Sequence, residues 1–257
     1  MVLYLSVIAM LLAHSVQCQP TGREIMLKVD AQPDGDSRKS LMKMELINKR
    51  GSKRIRSMLS YSKDYGKDKK TIMFFQAPAD VKGTGFLTWD YATDDKTDDR
   101  WLFLPAMNKT RRISGSSARK EYFMGSDFTY DDLGNHDVDD DIHKLQGEQV
   151  LDGNKYWVIE SVPKDSENLY SKKIGWIRQD NYMAIKVEYY DKQGSILKEL
   201  SVDEVKQIEG FWTAISMTMV NHQRDHKTII RLESVSYNDT IEDHLFTVNS
   251  LERGYIN

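Results

Sequence analysis

From residue 41 onward the sequence falls into short apolar–polar alternations separated by turn residues. That rhythm restricts most of the chain to an antiparallel sheet. Met42, Met44 and Leu46 share one side of a period-two pattern, with Lys43 and Glu45 on the other. Residues 55–61 and 71–76 continue it, and residues 143–150, 156–162, 170–178, 183–190, 196–205, 212–222 and 228–237 read as further strands. Asp152-Gly153-Asn154, Gly194 and Glu209-Gly210 supply hairpin chemistry between them. About ten strands are too many for a flat open sheet, so this one must curl or close.

Helical signals are few. Thr21 and Glu24 form a capping box, and Ile25, Met26 and Val29 then share one helical face, which predicts a short amphipathic helix over 21–29. Shorter helical pieces are expected near 126–133 and in a docking tail over 242–251. The fold class is therefore mainly β, with a few short helices. No linker, repeat or low-complexity tract divides the chain.

Residues 2–13 are an uncharged apolar run of leader length, which predicts a signal peptide over 1–19 and a single exported domain over 20–257. The sole cysteine, Cys18, is read as removed or inert, with a lipid anchor as the alternative. A net charge of -3 gives no reason to expect nucleic acid.

Residues 77–133 concentrate large apolar side chains between loops of opposite charge. Phe86, Trp101, Phe103, Phe123, Met124 and Phe128 lie there, and Phe74 just precedes it. Met217 and Met219 alternate with Thr218 as Met42 and Met44 alternate with Lys43. Methionine fills irregular space, so these pairs suit either a plain core or a pocket for flexible chains. Three short helices are little to cover a long curved sheet, which leaves room for a cavity. Lys109, Arg111 and Arg112 begin a basic loop that runs on through Arg119 and Lys120. It is read as a rim facing an anionic headgroup or an acidic partner. Asp127, Asp131, Asp132, Asp137 and Asp139 to Asp141 form an acidic counterpart, read as a solvated loop rather than a calcium site because EF-hand spacing is absent. Gly83-Thr84-Gly85 is not a dinucleotide fingerprint, His222 and His226 lack the HExxH glutamate, and no G-x-S-x-G occurs. No enzyme, metal or cofactor is expected.

GTGFLTWDY, DDRWLFLPAMNKTRRISGSSARKEYFMGSDFTYDDL and the closing LFTVNSLERG resemble the outer-membrane lipoprotein-sorting proteins, relatives of the periplasmic lipoprotein carrier. The resemblance covers nearly the whole chain after the leader. It implies an unclosed β-barrel, a strongly curved antiparallel sheet with helices over its concave face. It also implies a monomeric periplasmic carrier with an apolar cavity for the acyl chains of a lipid or lipoprotein. The acyl-binding candidates are then Met42, Met44, Leu46, Phe74, Phe86, Trp101, Phe103, Phe123, Met124, Phe128, Met217 and Met219. Some family members look like partners of inner-membrane exporters of the resistance-nodulation-division type, so an accessory subunit that binds protein is the alternative function.

Overall fold

The computed structural model describes residues 19–92 and 96–254. Cys18 and almost all of the expected leader lie outside them. The strands are β1 (Ser37–Ile47), β2 (Lys53–Tyr65), β3 (Asp68–Ala77), β4 (Gly85–Asp90), β5 (Asp99–Leu104) and β6 (Lys109–Arg112). After a long connection come β7 (Asp141–Leu151), β8 (Asn154–Pro163), β9 (Lys172–Arg178), β10 (Ala184–Tyr190), β11 (Ile196–Ile208), β12 (Phe211–Asn221) and β13 (His226–Tyr237). All belong to one 13-stranded antiparallel sheet in the order β6-β5-β4-β3-β2-β1-β13-β12-β11-β10-β9-β8-β7. Its edges, β6 and β7, do not pair, so the barrel is unclosed.

The curvature follows from one contact pattern. The ring of Tyr130 lies 5.4 Å from that of Phe86 on β4. Two residues later, the carboxylate of Asp132 accepts a hydrogen bond from Lys198 on β11. In a flat sheet β4 and β11 stand six strand spacings apart, roughly 29 Å at about 4.8 Å each. Two residues span only about 7 Å of chain. The sheet must therefore roll around this connection, and the face that the connection touches is the concave one.

Three elements cover the sheet. Helix α1 (Gly22–Asp30) begins at the expected capping box, with the Thr21 amide donating to Glu24 at 2.8 Å. It lies on the concave face of β7 to β9, where Ile25 is buried against Ile159 and Ile177. Gly22 sits so close to β7 that a Cβ would stand 2.8 Å from the His143 carbonyl carbon. The connection between β6 and β7, which includes α2 (Ser116–Arg119), plugs the concave face nearer β1 to β5. The tail runs the other way. Ile241, Leu245 and Phe246, together with Leu251 on α3 (Val248–Arg253), pack on the convex face against Phe74, Leu87 and Phe103. The tail helix therefore covers the outside of the sheet, not the trough.

Gly85 marks that contact. A Cβ there would meet Leu251 Cδ1 at 2.5 Å and the Phe74 ring at 3.0 Å. Gly85→Val should lift the tail, and limited proteolysis should then cut after residue 237 at rates the parent protein resists. Unchanged protection would mean that the tail can re-seat around the new side chain.

Two local expectations need correction. Residues 109–112 are a strand, not a loop. They carry no apolar periodicity because they pair on one side only, with β5. Residues 126–133 are not helical. Side chains hold them as a tight loop instead: the Ser126 hydroxyl accepts from the Phe128 amide, and Asp132 and Thr129 exchange bonds with each other's amides. Serine, threonine and aspartate compete with the helix for these amides.

Candidate functional site: the trough and the hollow under the first helix

Strand register places Met44, Ile230, Met217 and Val202 in one row across the concave face. Leu46, Thr228, Met219, Leu200, Val187, Gly175, Ile159 and Leu145 form the next row. One end of this floor is filled. Met44, Leu46, Phe86 and Phe123 pack into a single cluster with Met42 and Met124 at its margin, and Phe123 is fully buried. Phe128 and Met219 are buried as well. Met42, Met217, Ile230 and Val202 stay half-buried along the open floor.

The twelve acyl-binding candidates do not come together. Phe74, Trp101 and Phe103 are on the convex face beneath the tail. A strand that is apolar on both faces signals burial on both, without saying which side holds the cavity. The basic residues proposed for the rim stand on the edge strand β6. Leu102 pairs with Arg111 and Trp101 with Arg112, so the two arginines face opposite sides of the edge strand. Arg111 grips Glu121 through two bonds of 2.9 and 3.1 Å, and Arg112 is paired with Asp99. Lys109 is exposed on the same strand.

The acidic loop is only partly solvated. Asp127 is fully buried; its carboxylate takes the Thr228 hydroxyl at 2.7 Å and His226 Nδ1 at 2.6 Å. Asp132 accepts from the Tyr170 hydroxyl at 2.7 Å and from Lys198, which is itself fully buried. Lys198 also donates to the Asp127 carbonyl at 3.1 Å and sits within 6 Å of the rings of Tyr122, Tyr170 and Tyr189. Burial pulls the Lys198 ammonium below its ordinary value, against the pull of Asp132, and pushes the Tyr170 and Tyr189 phenols up. Next to Asp132, Asp131 lies 3.8 Å from Arg100, a buried arginine on β5. Gly134 leaves room for that guanidinium, since a Cβ would stand 2.0 Å from it. Two adjacent aspartates are thus held by buried cations from opposite halves of the sheet, and the loop acts as a strut across the trough. Among the described residues no group of three His, Cys, Asp or Glu side chains is placed to hold a metal ion.

The open apolar space lies elsewhere, under α1. A hollow of about 260 Å³ is roofed by Met26 and Val29 and floored by Ile159, Gly175, Ile177 and Val187. Gly175 creates much of it: a Cβ there would meet only Ile177 Cδ1, at 3.7 Å. His143 closes one side, its ring bridging the Ser161 hydroxyl at 2.7 Å and the Val138 carbonyl at 2.8 Å. His136 lines both this hollow and two larger clefts of about 550 and 610 Å³. Those clefts are charged, with Asp98, Arg119 and Asp140 in both, and are no place for hydrocarbon.

An exposed ion pair ties the roof to the acidic loop. Arg23 donates to both oxygens of Asp139, at 2.8 and 2.7 Å. The Arg23 hydrogen bond holds the Asp139 carboxyl below its ordinary range. A depressed carboxylate pKa contributes above the unfolded value and is lost as pH falls through the folded one. Amide exchange in α1 should therefore quicken selectively as the pH falls below the ordinary aspartate range, and Arg23→Ala should show the faster exchange already at neutral pH. Equal protection of α1 in both proteins at neutral pH would show that apolar contacts alone hold the roof.

Comparison with known proteins bears on this geometry. A family model described as uncharacterized protein-like matches residues 67–253. A solved DUF1329 family protein from Desulfovibrio piger superposes with a TM-score of 0.85 at 33% identity, covering 90% of this chain and 97% of that one. The chain belongs to the DUF1329 family. A Vibrio parahaemolyticus domain named for outer membrane lipoprotein sorting matches this DUF1329 protein with a TM-score of 0.84 at 31% identity, over 90% of this chain and 98% of the other. A LolA superfamily protein from Nitrosomonas europaea, at 19% identity and a TM-score of 0.71 over 90% of this chain and all of that one, shares the fold. No curated protein matches the sequence. The DUF1329 chain thus shares its unclosed barrel with the Vibrio lipoprotein-sorting domain and the Nitrosomonas LolA superfamily protein. No helix among its described residues is long and apolar enough to cross a membrane.

Proposed function

We propose that the protein is a non-enzymatic periplasmic carrier that takes an acyl chain of a lipid or lipidated protein into the hollow under α1 and carries it between membranes or partners. The observation that supports this reading most is the unfilled space above Gly175, in a strand where almost any other residue would fill it. Glycine weakens a strand interior and has to be explained by what approaches it. Strand register puts the half-buried Met217, Val202 and Ile230 on the same concave face as the hollow's floor, so a longer chain would run on along the trough. Its volume equals that of about nine waters in the liquid, and a methylene is of similar size, so it takes a segment of one chain. Chain specificity is low in such a site, because each methylene contributes only about 0.8 kcal/mol.

Solvent extraction and mass spectrometry of protein purified from the periplasm test the reading. Acyl species in roughly molar proportion support a carrier. An empty protein that co-purifies with an inner-membrane exporter would instead favour an accessory subunit of a resistance-nodulation-division system.

A further inference from the structure

The end of the sheet formed by two neighbouring hairpin turns carries a positive patch. Between Glu45 and Asp64 the sequence has six cations and no acid, and Lys49, Arg50, Lys53 and Arg54 crowd the β1–β2 turn. The turn is rigid: the Asn48 side chain accepts from the amides of Arg50 and Ser52 at 2.9 and 3.1 Å. β13 pairs with β1 on its other side, and Ile47 is matched to both Lys53 and Lys227. That places the β12–β13 turn, with Arg224, next to the first. Glu45 is already taken by Lys53 and Arg231. Lys49, Arg50, Arg54, Arg224 and Lys227 form no ion pair among the described residues, and Asp225 is the one acid in the two turns. The patch stands out on a chain whose net charge is -3.

Beside these cations Ile55 exposes 51% of its surface. The cations stand in and beside the two hairpin turns, at the tip of the sheet. A folded acidic partner binds through shape as well as charge, whereas an anionic bilayer needs only cations near its plane and accepts an apolar side chain among its headgroups. We propose that this end of the sheet docks onto the surface of an anionic bilayer. Clusters of about four to eight Lys and Arg suffice for such binding. The dock is separate from the hollow under α1 and does not depend on what that hollow holds.

The test is co-sedimentation with vesicles of phosphatidylcholine alone and of phosphatidylcholine with an equal part of phosphatidylglycerol. The protein should bind the mixed vesicles only, and should leave them near 1 M salt, where screening acts within about 3 Å. Arg50→Glu/Arg54→Glu should lower the affinity by at least about thirty-fold, the loss expected from removing two interfacial cations. Both side chains are exposed, so thermal unfolding should be unchanged. Lys144→Glu/Lys155→Glu, at the far edge of the sheet, should bind as the parent does. Ile55→Ser should weaken binding by a similar factor at each salt concentration where the parent still binds, as loss of an apolar contact does. Equal binding to both vesicles, or equal loss in the two double variants, would overturn the proposal. So would unchanged vesicle binding in Arg50→Glu/Arg54→Glu with loss of a co-purifying acidic protein, which would assign the patch to a protein partner.

Discussion

Asp132→Ala should destabilise the protein by about 3–5 kcal/mol, the cost of leaving a buried charge without its partner. Lys198 is fully buried, and among the described residues Asp132 supplies its only carboxylate contact within salt-bridge range. The remaining acceptor is the carbonyl of Asp127, and the surrounding tyrosine rings offset only part of a buried ammonium's desolvation. The same substitution strips the Tyr170 hydroxyl of its acceptor. At roughly 2–4 °C per kcal/mol for a chain of this size, the midpoint should fall by about 10 °C. Asp132→Leu/Lys198→Met should recover much of the loss, since an apolar pair of similar volume replaces a buried ion pair at little cost. A loss below about 1 kcal/mol would put the pair in the class of surface salt bridges, and the strut across the trough would then have no energetic basis.

Gly175→Leu should separate binding from stability. Gly175 faces the hollow between Ile159 on β8 and Val187 on β10. A leucine there enters open space, buries apolar surface contributing about 1.5–3 kcal/mol and removes a flexible residue from a strand. The midpoint should rise by about 5 °C. Acyl affinity should fall at least about tenfold, since the space a chain would occupy is filled. Calorimetry and titration with a fluorescent fatty acid read the two effects separately. A more stable protein with undiminished affinity would move the acyl site away from α1.

Much of this architecture was legible in the residues. The Thr21–Glu24 box announces α1, and the alternation of Met42, Met44 and Leu46 announces β1 and its buried side. Local pattern could not assign faces between distant elements. Phe103 and Phe86 look alike in sequence, yet one lies under the tail and the other under the plug. The partners of Asp127 and Asp132 stand 101 and 66 positions away, which no local motif discloses. One signal was there to read. Lys198 occupies the side of β11 that Leu200 and Val202 share, and a lysine at a core position calls for a buried acid. Gly175 gave the other, an isolated glycine inside a strand pattern. Residues 109–112 misled only as to local structure: four charged or polar residues carry no strand period, yet they form an edge strand on which Arg111 and Arg112 are exposed and paired with acids.

Native mass spectrometry of the protein purified from the periplasm, beside Gly175→Leu prepared in the same way, bears most directly on the hollow. The parent should carry an acyl-chain adduct that Gly175→Leu lacks. An adduct of equal occupancy in both proteins, or none in either, would contradict the assignment.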